Sequence, residues 1–203
     1  MTGRLERSTR ADPSGRLWSF HVDTIRAEDS MPRRSLPLLA VLLVVGLAHG
    51  QSKKPTKYTP IPATAGLGFS ASFPCSVADS TKELATAAGS VTVRTHRGEY
   101  EKVAYAVTVT EYPESFADLP PEKILDGVRD GLRGDGEVTK DKATTVNDAP
   151  ARELEVTTKK KTGVRGIAVL HKRTLYVITA AGPSDSLAKE TATDFLKSFA
   201  LDK

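Results

Sequence analysis

The chain has 203 residues, with 29 Lys+Arg against 25 Asp+Glu and a single cysteine, Cys75. One cysteine excludes an intrachain disulfide, so packing alone has to hold any core. The formal charge of +4 falls to +2 beyond residue 50, where 22 Lys+Arg meet 20 Asp+Glu, and so even a balance points to no nucleic-acid partner.

The first signal lies at residues 31–50, "MPRRSLPLLAVLLVVGLAHG". Arg33 and Arg34 form a positive start, Leu36 to Leu47 an apolar run, and Ala48-His49-Gly50 a small-x-small cleavage site. That order is a secretory signal peptide. Its apolar run of about twelve residues is short of the roughly 20 that a bilayer-spanning helix needs, so cleavage near Gly50 is expected, with no stable membrane span afterwards. Gln51 follows where a lipoprotein would carry cysteine. Residues 1–30 hold five arginines together with Asp12, Asp23, Glu28 and Asp29, too acidic for a transit peptide. They are expected to be sequence upstream of a true start at Met31, or else a disordered tail. The mature protein is thus expected in an exported compartment, periplasmic or extracellular.

Residues 51–66, "QSKKPTKYTPIPATAG", are rich in Pro, Lys and Thr and read as a flexible linker. A single domain is expected over 67–203. In "LGFSASFP", Leu67, Phe69, Ala71 and Phe73 alternate onto one face of a strand that Pro74 ends. Residues 76–88 are polar and carry no clear period, whereas "GSVTVRT" places Val91 and Val93 on one strand face. In "KVAYAVTVTEY", Val103, Tyr105, Val107 and Val109 oppose the small and semi-polar Ala104, Ala106, Thr108 and Thr110, the pattern of an antiparallel sheet covered on one side.

The period then changes to that of a helix. "LPPEKILDGVRDGLRGDG" spaces Ile124 or Leu125, Val128 and Leu132 for one helical face, with Pro120 or Pro121 in the first turn and Gly134 at the end. Four strand-like runs follow in "EVTKDKATTVND", "ARELEVTTKK", "GVRGIAVLHK" and "TLYVITAAG". Ser184 or Ser186 is expected to cap a closing helix whose Leu187, Thr191, Phe195 and Phe199, with Leu196, form one buried stripe meeting Val107 or Val177. Strands with one helix inserted and one closing predict an α+β fold, an antiparallel sheet packed with two helices.

The order of "FSASFP", "YAVTVTEYP", "PARELEV", "RTLYVITAAGP" and "DFLKSF" between Leu67 and Leu201 resembles the PsbP-like α/β/α fold of small exported bacterial proteins. The matching residues are all structural. Members of that fold class are mainly accessory and binding proteins, so the resemblance implies an interaction role.

Chemistry-bearing motifs are few. His96 and His171 have no metal-ligand neighbour at helical or loop spacing and read as ordinary surface or satisfied groups. "GFSAS" matches a nucleophile elbow only in part, since Ser72 replaces the final glycine. "DGVRDGLRGDGE" aligns Asp126, Asp130, Gly131 and Glu137 with calcium-loop positions, but Val128 stands where an oxygen ligand is required. Asp126, Asp130, Asp135 and Glu137 therefore form only a weak calcium candidate. "TTKKKTG" puts Lys159, Lys160 and Lys161 at a hairpin tip, with Arg165 and Lys172 as possible neighbours. Such a tip either keeps a turn solvated or meets an anionic partner. The reading reached is a non-catalytic exported accessory or binding protein without a cofactor, its partner an unidentified protein or anionic polymer. The alternatives are an enzyme with an unrecognised cleft and a weak calcium binder.

Overall fold

The computed structural model describes residues 59–61, 67–86, 89–116 and 118–202. The signal peptide expected at residues 31–50, and residues 1–30 before it, lie outside them. Among the described residues ten strands and three α-helices follow in order: β1 Thr59–Ile61, β2 Phe69–Phe73, β3 Ala78–Thr86, β4 Gly89–Tyr100, β5 Val103–Glu111, α1 Pro121–Arg133, β6 Glu137–Val146, β7 Ala149–Thr157, β8 Thr162–His171, β9 Thr174–Pro183, α2 Ser184–Leu187, α3 Glu190–Lys197 and β10 Ala200–Leu201. The expected α+β fold is present, with more elements than its two helices and one sheet.

The large sheet runs β3-β4-β5-β9-β8-β7-β6 and is antiparallel throughout. Two meanders build it. Strands β3 to β5 form one and β6 to β9 the other, and the pairing of β5 with β9 joins them. Because β5 is central and β6 is at the far edge, the chain must cross the sheet between them. Segment α1 makes that crossing and lies over β8, β7 and β6.

The alternation along β5 pointed to one-sided cover and the α/β/α resemblance to cover on both sides; both faces of the sheet are buried. On one face Val103, Tyr105, Val107 and Val109 of β5 join Tyr176, Ile178 and Ala180 of β9 against Phe69, Ala71 and Phe73 of β2 and Phe195 and Phe199. On the other, Leu175 and Val177 of β9 join Ala168, Leu170 and Leu154 against Leu125 and Val128 of α1. Strand β9 feeds both cores, which explains its nearly unbroken apolar run. Val177 therefore points away from Phe195 and Phe199, and of the two contacts expected for them only Val107 belongs to their core. The period of two along β9 puts Val177 on the opposite face from Ile178.

Further expectations change. The tether over 51–66 gives way at Thr59–Ile61, which pair with β2 from Phe73 to Ala71; β2 and β10 complete this small sheet, and Ile61 packs against the core. The polar stretch 76–88 contains β3, whose side chains at residues 78–85 are exposed. With neither face buried it shows no alternation to read.

The closing helix is two helices. The Leu187 carbonyl, which a continuous helix would give to the amide four residues on, accepts instead from Arg165 Nη1 at 2.9 Å. Lys189 is extended at the start of α3. Neither serine caps: Pro183 holds the cap position of α2, and Ser184 Oγ donates to the Lys161 carbonyl. Ala192 is fully buried where Thr191 was expected. Helix α1 keeps its expected limits, with Pro121 in its first turn and Gly134 beyond its end at φ 49°.

Two hairpins each turn through a pair of left-handed residues other than glycine, Glu101-Lys102 between β4 and β5 and Asn147-Asp148 between β6 and β7. Both loops have two residues with positive φ, the geometry that favours Asn-Gly. Asp148, at φ 65°, carries a Cβ that this conformation penalises. Asp148→Gly is expected to raise stability by about 0.5–1 kcal/mol, read as a higher urea midpoint at constant slope. An unchanged or lower midpoint overturns this assignment of strain.

Candidate binding surface

The β7–β8 hairpin carries the three lysines to one end of the large sheet. Thr158 N donates to the Thr162 carbonyl at 2.8 Å, and Lys161 N to the Thr158 carbonyl at 3.1 Å. The two threonine hydroxyls share a hydrogen bond of 2.7 Å across the neck. Lys161 turns the chain at φ 56°, and its carbonyl accepts from Ser184 N at 3.0 Å and from Ser184 Oγ at 3.1 Å. Lys159, Lys160 and Lys161 are exposed, yet the backbone beneath them is tied to the start of α2. The basic tip is thereby held in one orientation.

Neither expected neighbour belongs to it. Arg165 turns onto the helical face, where its Nε donates to Glu155 Oε1 at 3.2 Å and its Nη1 to the Leu187 carbonyl and to Thr193 Oγ1 at 3.1 Å. It is a brace between sheet and helices. Lys172 follows the last residue of β8, whereas the tip precedes the first; an extended strand of that length separates them by roughly 30 Å. Sequence spacing missed Lys102 and Lys189 instead. The β5 start pairs beside the β9 end, and the β9 end beside the β8 start, so the Lys102 turn is on the same end of the sheet as the tip. Lys189 Nζ is 2.8 Å from Glu101 Oε2 in the same turn. Only strand order reveals this grouping.

The calcium candidates are placed otherwise than a metal loop requires. Asp126 and Asp130 lie on α1. Asp126 takes a short hydrogen bond from Arg152 Nη1 and is 3.2 Å from Arg129 Nη1, and Asp130 receives Arg129 Nε at 2.9 Å. Asp141 of β6 adds to the same network, 3.5 Å from Arg129 Nη1 and 3.4 Å from Arg152 Nε. These carboxylates already balance two guanidinium groups. Asp135 follows in the turn after the helix and Glu137 opens β6, both exposed. Among the described residues no three His, Cys, Asp or Glu side chains gather as metal ligands.

His96 was expected to be ordinary, at the surface or with its polar groups satisfied, and is buried with one nitrogen orphaned. Strand β4 faces it toward the Phe69 core, with ring centroids 5.7 Å apart. Its Nδ1 is 2.7 Å from Asp79 Oδ1 on the paired strand β3, while Nε2 is buried and unpartnered. Partial satisfaction fits a histidine at the border of core and edge. The partial nucleophile-elbow match, Ser70 and Ser72, lies within strand β2, followed by Pro74 and the polar β3 rather than by a helix. Ser72 N donates to Ser198 Oγ at 2.9 Å, which itself donates to the Phe195 carbonyl at 2.7 Å. These bonds tie β2 to the end of α3.

Elsewhere charge is stabilised in pairs. The hydrogen bond from Lys140, at 2.7 Å, holds the Glu153 carboxyl below the usual carboxylate range. Its contribution to folding is present above that range and is lost as acid protonates the carboxylate.

The class these observations define is an α+β protein with a sheet buried on both faces and a basic, backbone-pinned hairpin at one end. No family model and no curated protein matches the chain. Among solved structures, the chain is similar to cyanobacterial PsbP (CyanoP) from Synechocystis sp. PCC 6803, with 14% identity and a TM-score of 0.48 over 78% of this chain and 99% of that one. It is also similar to a protein of unknown function from Pseudomonas aeruginosa, with 12% identity and a TM-score of 0.31 over 64% of this chain and 86% of that one. Among the described residues no helix is long and apolar enough to cross a membrane.

Proposed function

We propose that the chain is a non-catalytic binding module of an exported compartment, which engages an anionic partner through Lys159, Lys160 and Lys161. The observation that carries this reading is the pinning of the tip: the Lys161 carbonyl takes two hydrogen bonds from Ser184. A turn that only needs to stay solvated has no need of that tie. A basic group held in place loses less conformational freedom on binding than a loose one. Export rests on the signal-peptide pattern at residues 31–50, outside the described residues.

The test replaces Lys159, Lys160 and Lys161 with Gln and compares retention on a polyanionic resin. The parent should elute at higher salt, because attraction between exposed charges weakens as the Debye length falls from about 10 Å at 0.1 M to about 3 Å at 1 M. Thermal unfolding should be nearly unchanged, since exposed charges contribute little to folding. Coincident elution of the two proteins overturns the reading.

A further inference from the structure

We propose that β3 is a pairing edge for a second copy of this chain, the two β3 strands meeting antiparallel about Leu84. The nine residues Ala78–Thr86 end the large sheet, and among the described residues no strand lies on their outer side. Their register with β4 is continuous from Ala78 to Thr86, and they contain no proline. An edge of this kind presents unpaired backbone N–H and C=O groups to another strand.

The opposite edge is built differently. Strand β6 has a register shift between Val138 and Lys140. Its Lys140 is engaged with Glu153 and its Asp141 with Arg129 and Arg152. Bulges and charges are the ordinary means of blunting an edge. Strand β3 has charges, Asp79, Lys82 and Glu83, but no register shift, and it carries Leu84, the exposed large hydrophobic residue among the described ones, at 39%. Leu84 stands opposite Val91, which is 1% exposed, so apolar surface runs to the rim of the sheet.

A second copy is the occupant because the charge pattern of β3 admits one favourable self-register. A two-fold axis normal to the sheet keeps each face continuous, so the strand must be centred on one of its own residues. Centring on Lys82 or Glu83 sets that charge against itself. Centring on Thr81 sets Glu83 against Asp79. Ser80 at the centre leaves Leu84 in water, beyond the partner strand's first residue, and Ala85 leaves only residues 84–86 in register. With Leu84 at the centre the leucines face each other, Glu83 meets Ala85 and Lys82 meets Thr86. No like charges oppose, and directly opposed like charges are what destabilise a strand pair.

The test uses two cysteine variants of the full chain under mild oxidation. Leu84→Cys should form a disulfide-linked dimer, the two positions being directly opposed. Lys82→Cys should not, because in this register its copies are four residues apart along the strands, roughly 13 Å, beyond the 7 Å Cα separation that a disulfide allows. Cys75 is buried, and the parent should stay unlinked. Sedimentation equilibrium without oxidant should show a concentration-dependent dimer for the parent, weakened at least about tenfold in Leu84→Asp, with thermal unfolding of the monomer unchanged. A parent that is monomeric at every concentration overturns the proposal, as does equal cross-linking of the two cysteine variants.

Discussion

Replacing Phe195 with alanine is expected to lower stability by about 3–5 kcal/mol. In a domain of this size that shifts the melting temperature downward by roughly 10–20 °C. The side chain is fully buried. Its ring meets Phe73 at 4.8 Å and Tyr105 edge-on at 5.1 Å, so one residue of α3 joins β2 to β5. Removing it deletes apolar burial and leaves a cavity that two rigid strands cannot close. Phe199→Ala should cost less. Phe199 lies beyond the end of α3, is 7% exposed, and stacks on Phe69 at 5.6 Å near the small sheet, where relaxation is easier. Differential scanning calorimetry of both variants checks the order, and a Phe195→Ala protein that melts with the parent overturns the docking of α3.

Native Cys75 should react with iodoacetamide at pH 8 about a hundredfold more slowly than the same residue in denatured protein. Burial, followed by the nearby charge of Glu99, pushes its thiol up to about 11 from the ordinary 9.0. Two units remove about 99% of the thiolate that would otherwise react, and lack of access adds to the effect. The fold explains the burial: Gly98 of β4 has no side chain, and a Cβ there would collide with Cys75 Sγ and the Ser76 carbonyl. The sign for stability follows from the raised value. Below pH 9 the thiol is neutral in both states, whereas between about 9 and 11 the unfolded chain ionises first and stability falls. Equal alkylation rates in native and denatured protein overturn the assignment.

Elements with one apolar face were legible from local pattern. Val103, Tyr105, Val107 and Val109 are buried on one face of β5 as their alternation requires, and Leu125 and Val128 are buried on α1 as their spacing requires. Strand β3 was illegible for the converse reason. It is held by backbone pairing to β4, and exposed side chains leave no hydrophobic record of that pairing. The split between α2 and α3 was equally hidden, since it turns on Arg165, twenty-two residues from the carbonyl it binds. At the candidate surface the three lysines were visible as a run, but Lys102 and Lys189 join that end of the sheet only through the β5–β9 and β8–β9 pairings. The weak calcium pattern also changed meaning in three dimensions, where arginines from α1 and β7 share its aspartates.

The sequence by itself determined the α+β composition, most strand and helix positions and the basic tip, because those depend on side-chain period and turn chemistry within a few residues. Tertiary structure alone decided which elements bury each face of the sheet, which strands form its two edges, and which charges meet. Those outcomes depend on strand order, and strand order brings together residues as distant as Ser72 and Ser198 whose local patterns carry no record of each other.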